Sequence, residues 1–308
     1  MFFNLARQGE NHFGQYAVTI ALTFLGLVVG NVLMVAYYYV VTGVLIQDAA
    51  DIGALEIDNT VRLIGILMPF IAGLLSLLFC ISSIHKRPFL TALTSRHRLD
   101  WSRIFLAFGL WILFNGIFEL INYYISPGDY TFRMPTMSFL FLLVVALALL
   151  PLQIAFEEVL FRGYLMQGTG LLFGYRWVAL VITSVAFGAL HLANPEVLEY
   201  GLGKMMFYYI GVGFILGVIA IMDDGLELAL GIHAATNIYS AVLVSYDAGA
   251  LQTDALFHSS ADMVDSSVYS FIAFAVVFTI MLSRIYKWKN WNRLWERIEP
   301  EMDLENTV

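Results

Sequence analysis

The chain has 308 residues, of which 60% are apolar and only 13% are charged, and its net charge is −8. This composition is far from that of a soluble globular domain, so it predicts an all-α, polytopic transmembrane helical bundle. A net negative charge argues against the basic surface that nucleic-acid binding requires, and we expect no nucleic-acid partner. The single cysteine, Cys80, excludes an intramolecular disulfide.

Eight apolar runs come close to the roughly 20 residues that a helix needs to cross a bilayer. They are residues 17–46, 63–84, 104–126, 136–160, 177–194, 205–222, 227–246 and 267–286. The first run is long and has no small-residue cleavage site after a short apolar core. We therefore interpret it as a retained span and not as a removable signal peptide.

Lysine and arginine are unevenly distributed between the two faces that eight spans would define. One face receives the clusters in 86–103 and 284–297, whereas the other receives only Arg62, Arg133 and Lys204. The positive-inside rule therefore places both termini in the cytoplasm. The opposite loops carry acidic residues without lysine or arginine: Asp48, Asp51, Glu56, Asp58, Asp254, Asp262 and Asp265. We expect an integral multi-pass protein of the cell membrane, whether inner or plasma membrane, that is surrounded by lipid.

Several short segments have the composition of turns and helix ends. They are Ser126-Pro-Gly-Asp129, Gly168-Thr-Gly170 with Gly174, Asn194-Pro195 and Asp223-Asp-Gly225. We divide the chain into 1–134 (N-terminal spans and a basic cytoplasmic loop), 135–246 (a core) and 247–308 (an outer loop, the last span and a charged tail). The basic loop, 86–103, mixes aromatic and basic residues, and we expect it to lie against anionic headgroups.

Two adjacent glutamates and an arginine interrupt the fourth run, where charged groups are costly. Glu158 and Arg162 are four residues apart and share a helix face, so we expect an ion pair between them. Glu157 points about 100° away and is left without a partner on its own helix, which makes it the candidate for chemistry. The alternative is that all three charges extend to headgroups at the end of the span.

Two histidines, His191 and His233, lie within later apolar runs. Asn237 follows His233 by four residues and shares its helix face, while Phe187 precedes His191 by four and can pack against the imidazole. Each histidine alone could instead be a hydrogen-bonding residue between packed helices. Together with the glutamates, they suggest one site assembled from three helices.

Three motifs, Glu157-Glu158-x-x-x-Arg162, Phe187-x-x-x-His191 and His233-x-x-x-Asn237, occur in this order on three runs. This pattern resembles the CPBP family of intramembrane proteases, which includes type II CAAX prenyl endopeptidases and bacterial bacteriocin-processing or immunity proteins. The resemblance covers 135–246, with every motif position intact. The segment Arg87-Pro-Phe-Leu-Thr is also similar to bacterial members.

The resemblance implies an endopeptidase that acts on a membrane-associated protein or peptide, including lipidated CAAX-type substrates. It implies that Glu157, helped by His191, is the general base for water, and that His233 and Asn237 donate hydrogen bonds to the oxyanion. Glu158 and Arg162 would hold the fourth helix in register. The family is often described as metalloproteases, and the corresponding zinc ligands would be Glu157, His191 and His233. We favour a metal-free glutamate mechanism, since the chain has no HExxH helix, and leave zinc as the alternative.

The depths of these residues do not coincide on straight helices. Glu157 would lie near the cytoplasmic end of its span, with His191 about 20 Å and His233 about 10 Å from that face. We expect Pro151 to kink the fourth span and 168–174 to re-enter the bilayer, which would create a cavity open to the cytoplasm.

Two other classes of protein remain compatible with the sequence. A proton-coupled transporter also places glutamate, arginine and histidine inside its spans, although matching broken helices are not apparent. A non-catalytic membrane scaffold or immunity protein is the other alternative.

Overall fold

Helices occupy all eight predicted spans. The structure, a computed structural model, describes residues 2–247, 249–260 and 265–299. In this part of the chain the α-helices are α1 (Phe13–Thr42), α2 (Ala49–Ala54), α3 (Asn59–Ser83), α4 (Trp101–Ile125), α5 (Met137–Glu158), α6 (Met166–Phe173), α7 (Arg176–Leu190), α8 (Pro195–Tyr200), α9 (Leu202–Asp223), α10 (Glu227–Ile238) and α11 (Asp265–Ile285). The predicted polytopic helical bundle is confirmed.

Six helices are long and apolar enough to cross a membrane: Phe13–Thr42, Asn59–Ser83, Trp101–Ile125, Met137–Phe173, Leu202–Asp223 and Val268–Ile285. The fifth and seventh predicted spans form shorter helices. α7 has 15 residues and α10 has 12. α10 is largely buried and packs against α4 and α5, whereas α7 packs against α9 on one side and exposes Trp177, Val185 and Leu190 on the other.

Capping residues determine where several of these helices begin and end. The Asp58 carboxylate accepts hydrogen bonds from the backbone N–H groups of Thr60 and Val61 and begins α3, as an N-cap residue does. Gly43 ends α1 with a φ of 72°, and Gly174 ends α6 with a φ of 76°. This left-handed conformation favours glycine.

The predicted break at 168–170 is wrong, and so is the predicted re-entrant segment. Met137–Phe173 is helical throughout. It passes through Pro151 and contains a π-helical segment, Val159–Leu165, directly after the two glutamates. Gly168 and Gly170 stay helical because their missing side chains make room for the rings of Tyr16 and Phe3. Another π-helical segment, Tyr239–Leu243, continues α10.

Both terminal segments lie on the same face of the bundle. The backbone N–H of Phe2 donates to the Asp224 carboxylate at 3.0 Å, and Arg293 pairs with the same carboxylate. A shared face requires an even number of crossings, which eight helices provide. We call this the basic face; its segments are 2–12, 84–100, 224–226 and 286–299. Asp262 and residues 300–308, which include most of the acidic tail, lie outside the described residues.

Part of the basic loop is folded into the protein, while its exposed residues, among them Phe89, His97 and Arg98, can lie against headgroups as expected. Arg87 is buried and donates to Gln167 at 2.8 Å. Arg96 pairs with Asp223 at 3.0 Å and with Glu227. These cations are held by internal partners, and only the exposed remainder of the loop can meet lipid.

A small sheet covers the opposite face. Its strands are β1 (Tyr130–Phe132), β2 (Val244–Tyr246) and β3 (Phe257–Ser259), in the order β1-β3-β2. β3 is antiparallel to β1 and parallel to β2. The hydroxyls of Tyr130 and Tyr246 donate to the buried Glu119 carboxylate of α4 at 2.6 and 2.7 Å, which anchors the sheet to the bundle. We call this the acidic face; its segments are 43–58, 126–136, 191–201 and 244–260.

Candidate active site

Glu157 and His191 lie at the same depth because the helix that carries Glu157 is longer than the sequence suggested. At 1.5 Å per residue, Glu157 is about 24 Å along the axis from Phe173, and His191 is about 22 Å from Arg176. Phe173 and Arg176 are joined by a short turn, so both distances start from the same level. Glu157 therefore lies in the middle of its helix and not at the cytoplasmic end.

His233 reaches this level because α10 begins inside the protein. The backbone N–H of Leu226, just before α10, donates to the Leu93 carbonyl at 2.7 Å. Gly163 lies against Ala92, the residue before Leu93, and its lack of a side chain lets residues 87–96 of the basic loop approach the helix. We call residues 87–96 the recessed loop. Glu157 is about 9 Å along the axis from Gly163, and His233 is about 9 Å from Glu227. The recessed loop thus removes the expected mismatch in depth.

The imidazole of His233 lies between the two glutamates. Its Nδ1 is 2.8 Å from Glu158 Oε1, and its Nε2 is 3.6 Å from Glu157 Oε2. Glu158 Oε1 also accepts from Arg162 at 2.9 Å, which is the ion pair predicted from the spacing. A carboxylate paired with arginine can only accept, so Nδ1 of His233 carries a proton and Nε2 faces Glu157.

Phe187 contacts two polar residues of the site, Arg162 and His191. The Arg162 guanidinium lies 4.1 Å from the centroid of its ring, within the range of a cation–π contact. Its ring is 4.5 Å from that of His191, and its carbonyl oxygen is 2.7 Å from His191 Nδ1. The expected packing of Phe187 on His191 is present. Because the carbonyl fixes the proton on Nδ1, His191 Nε2 is left as the acceptor.

Gln153 connects two of the predicted residues and was not recognised in the sequence. Its side-chain N–H donates to Glu157 Oε1 at 2.5 Å, while its carbonyl oxygen accepts from Asn237 at 3.1 Å. Gln153 is four residues before Glu157, and this spacing on one helix could have indicated the contact from the sequence. It orients the candidate base and the candidate oxyanion donor together.

Tyr209 of α9 is the second residue that the sequence did not reveal. Its ring stacks on His191 with centroids 4.3 Å apart and an angle of 25° between the planes. Its hydroxyl accepts from the Asn194 side chain at 3.0 Å. No spacing rule links α9 to α7, so this contact becomes visible only once the helices are packed.

A cavity of about 770 Å³ joins the candidate residues. Glu157, His191, His233 and Asn237 all line its wall, as do Gln153 and Tyr209. Glu158 and Arg162 do not, and their side chains are fully buried behind His233. The four predicted catalytic residues are thus brought together, while the predicted supporting pair lies one layer behind.

The expectation of a cavity open toward the basic face is wrong. Its wall is formed mainly by residues of the middle and acidic-face portions of the bundle helices, by 190–200 and by 246–251, and it extends to Phe161 and Ile219 toward the basic face. Among the described residues, none from the basic-face segments lines it. The recessed loop and the N-terminal segment fill the space in which a passage to that face was expected.

The zinc alternative does not fit the arrangement of side chains. Within the described ranges, no three histidine, cysteine, aspartate or glutamate side chains are grouped closely enough to hold a metal ion. Glu157, His191 and His233 surround the cavity without forming a metal-ligand set, and we derive no step through a metal.

The fold and the buried acid–histidine cluster define a multi-pass membrane protein with a polar site inside the bundle. Residues 136–239 match the family model described as "Type II CAAX prenyl endopeptidase Rce1-like". This segment is about a third of the chain, contains all three motifs, and is similar to that family, as the resemblance indicated.

A curated relative extends the match beyond that segment. The uncharacterized protein YyaK of Bacillus subtilis is 34% identical over 161 residues, which are 52% of this chain and 54% of YyaK. The chain therefore matches about half the length of this relative. No solved structure matches the chain.

Proposed function

We propose that the protein is an intramembrane endopeptidase that hydrolyses a peptide bond of a membrane-attached protein or peptide. The observation that carries the proposal is the position of His233 between Glu157 and Glu158, at 3.6 and 2.8 Å, in the wall of a large buried cavity. The match of residues 136–239 to the Rce1-like family model supports protease activity. We further propose the cell membrane as its location.

Glu157 is the proposed general base. One of its oxygens accepts from Gln153, and the other, Oε2, has no hydrogen-bond partner among the described residues. A water bound at Oε2 can lose a proton to the carboxylate as its oxygen attacks the peptide carbonyl carbon. The same proton then passes from Glu157 to the departing amine, so the carboxylate is regenerated.

His191 supports the same water. With Nδ1 donating to the Phe187 carbonyl, its Nε2 offers a lone pair toward the cavity. Stacking on Tyr209 fixes the plane of the ring. A second acceptor positions the water, whose lone pair must point at the carbonyl carbon in the transition state.

His233 and Asn237 form the proposed oxyanion site. Glu158 accepts a hydrogen bond from Nδ1 of His233, and in the protonated imidazole Nε2–H is a second donor, on the side of the ring that faces the cavity. The Asn237 amide uses one N–H for Gln153 and has a second one available. Donors fixed in advance toward a developing negative charge account for much of the rate enhancement in acyl transfer.

The test is a comparison of membrane proteomes from cells that contain wild-type protein or Glu157→Gln. We expect precursors that lose a terminal segment with the wild type and accumulate uncut with the variant. The matched control is Glu119→Gln, another buried glutamate within a span, whose partners are the Tyr130 and Tyr246 hydroxyls. Cleavage should continue in this control.

Two outcomes would contradict the proposal. Unchanged peptide termini in cells with Glu157→Gln would show that this carboxylate does not catalyse hydrolysis. Loss of solute uptake in place of proteolysis would indicate a transporter. Purified protein in lipid vesicles, supplied with an accumulated precursor, then establishes whether cleavage is direct.

A further inference from the structure

We propose that Glu196 is a specificity-determining residue that binds a lysine or arginine side chain of the substrate close to the bond that is cut. This inference rests on the proposed function and adds to it a residue that takes no part in the chemistry. Three observations support it: the position of Glu196 in the cavity wall, the lack of a counter-ion for its carboxylate, and its connection to His191.

Glu196 places a carboxylate in a wall that is mostly apolar. It is half-buried, at the start of α8, and it lines the same cavity as Glu157 and His233. Among the described residues of this wall, Glu157 and Glu196 are the only acidic ones, and none is a lysine or arginine. Glu157 is the proposed general base, whereas the proposed hydrolysis leaves Glu196 without a role.

The protein supplies Glu196 with hydrogen bonds but with no positive charge. Its Oε1 accepts from the backbone N–H of Ala250 at 2.7 Å. Its Oε2 is buried and has no hydrogen-bond partner among the described residues, although the Tyr209 hydroxyl lies near the carboxylate. No lysine or arginine in the described part of the chain forms a salt bridge with it. Because an unpaired charge in an apolar wall is costly, such groups are typical of binding sites.

Glutamates with structural roles in this protein have stronger partners. The two oxygens of Glu119 accept from tyrosine hydroxyls at 2.6 and 2.7 Å. Glu158 is paired with Arg162 at 2.9 Å. Glu196 has neither arrangement, and a purely structural role would leave its second oxygen poorly satisfied. A ligand with a positive charge explains this oxygen better.

A single side chain, Tyr209, separates Glu196 from the proposed catalytic residues. The ring of Tyr209 stacks on His191 with centroids 4.3 Å apart, and its hydroxyl interacts with Glu196. His191 supports the attacking water, so Glu196 lies about one tyrosine length from the reacting carbonyl. Since an extended polypeptide advances about 3.3 Å per residue, a side chain within about three residues of the cut bond can reach Glu196.

Lysine and arginine fit this position because both parts of their side chains find a partner. The aliphatic stem can lie on apolar neighbours of α8, such as Met205 and Tyr208, which also line the cavity. The charged end can meet Oε2 of Glu196 in a charge-assisted hydrogen bond, which is stronger than a neutral one. An acidic side chain of the substrate would be repelled, since the described wall contains no lysine or arginine to hold it.

Glu196→Gln removes the charge and keeps an oxygen that can accept from Ala250, so the contact with that residue is preserved. Glu196→Lys reverses the charge. The matched control is Glu199→Gln, because Glu199 belongs to the same short helix but is exposed and does not line the cavity. The three variants therefore separate the charge of Glu196 from the structure of α8.

The charge can be measured without any substrate. In purified protein with Cys80→Ala and Ala250→Cys, one thiol remains, beside Glu196, because Cys80 is the only cysteine of the chain. Its rates of reaction with a cationic and an anionic methanethiosulfonate are compared. Glu196→Gln should lower the ratio of the cationic to the anionic rate at least about threefold, and Glu199→Gln should change it less. An unchanged ratio in Glu196→Gln would overturn the inference.

Recognition is measured with a precursor that accumulates in cells with Glu157→Gln. Its cut bond should have a lysine or arginine within about three residues. Changing that residue to glutamate should raise KM for the wild type at least about tenfold with a smaller effect on kcat, and Glu196→Lys should restore cleavage of the changed precursor. Glu199→Gln should keep the wild-type preference.

Two results with precursors would also overturn the inference: equal KM values for the original and the changed precursor, or a preference for the basic residue that survives Glu196→Gln. Failure of the proposed function gives a different result. If no precursor is cut while the ratio of thiol rates falls as expected, the hydrolysis is refuted and the unpaired charge of Glu196 stands.

Discussion

Glu158 Oε1 and His233 Nδ1 are 2.8 Å apart although 75 residues separate them in the chain. Glu157, one residue earlier, presents its free oxygen to the other nitrogen of the same imidazole. A step of about 100° along the helix thus gives two neighbouring carboxylates different partners. Glu158 is held by Arg162 and fixes the proton on His233, while Glu157 faces the cavity.

Glu158→Gln should destabilise the protein more than Glu157→Gln. Removing the Glu158 charge leaves Arg162 buried without a counter-ion, and breaking a buried pair costs about 3–5 kcal/mol. Among the described residues, Glu157 has no cationic partner at salt-bridge distance other than a protonated His233, so its amide variant should remain nearly as stable as the wild type. Thermal unfolding in detergent measures both. A larger loss of stability for Glu157→Gln would contradict the assigned roles.

Gln153→Leu should lower kcat by about tenfold to a hundredfold. The change removes the donor to Glu157 and the acceptor for Asn237 while keeping most of the side-chain volume. Hydrogen bonds to charged groups contribute about 1.5–3 kcal/mol. Gln252→Leu, at an exposed glutamine, is the control. If both variants hydrolyse an identified precursor at the wild-type rate, Gln153 does not position the reacting groups.

Much of the site follows from spacing within single helices. The Glu158–Arg162 ion pair and the packing of Phe187 on His191 are both contacts between residues four apart. Gln153 obeys the same rule and could have been found, had the residue four before Glu157 been considered. Tyr209 could not, because its contact with His191 depends on how α9 packs against α7.

The predicted depths of Glu157, His191 and His233 in the membrane were wrong for a different reason. Hydropathy ended the fourth span near residue 160, yet the helix continues to Phe173 because its last turns pack against the N-terminal segment and against α7. The glycines that suggested a break are used for close contact with Tyr16 and Phe3. The recessed loop before α4 has a charged sequence typical of a surface, and its burial rests on partners from distant segments such as Gln167 and Asp223.

Tyr209→Phe should retain activity, whereas Tyr209→Ala should lose it in part. Phenylalanine keeps the stacked ring on His191 and gives up the hydroxyl, which interacts with Asn194 and Glu196. Alanine removes the stack, which is worth about 0.5–1.5 kcal/mol beyond buried area. We therefore expect kcat about two- to tenfold lower for alanine than for phenylalanine. Equal rates would show that the stack does not orient His191.

Stability should fall as the pH drops below about 6.5, because burial lowers the pKa of His85. Two interactions with Glu10 raise the pKa of His85 and oppose this shift: a hydrogen bond to its carbonyl and the charge of its carboxylate. The charge of Arg87 lowers the pKa further. The rings of Tyr16 and Tyr164 also contact the imidazole. Between the lowered pKa and the usual one, the unfolded chain binds a proton that the folded protein excludes. The stability that His85 contributes is complete above its usual pKa and is lost as the pH falls through the range below it.

His85→Gln should flatten this pH dependence, since an amide does not titrate in the range. The control is His97→Gln, an exposed histidine of the same loop. Melting temperatures of the three proteins between pH 5 and pH 8 provide the measurement. The assignment to His85 fails if its variant keeps the full slope, or if the control loses it.

Gly163→Ala and Gly116→Ala should change stability in opposite directions. Both glycines are helical, and alanine is favoured over glycine inside a helix by about 0.5–1 kcal/mol. None of the described residues lies within 4 Å of a Cβ placed on Gly116, so this gain should appear in full.

A Cβ on Gly163 would overlap the carbonyl oxygen of Ala92, which belongs to the recessed loop. Backbone cannot move aside as a flexible side chain can, and overpacking typically costs about 1–3 kcal/mol. Thermal unfolding of the two variants should therefore move the midpoint down for Gly163→Ala and up for Gly116→Ala. An increase for Gly163→Ala would show that the loop does not pack against the π-helical segment, and the depth assigned to His233 would no longer hold.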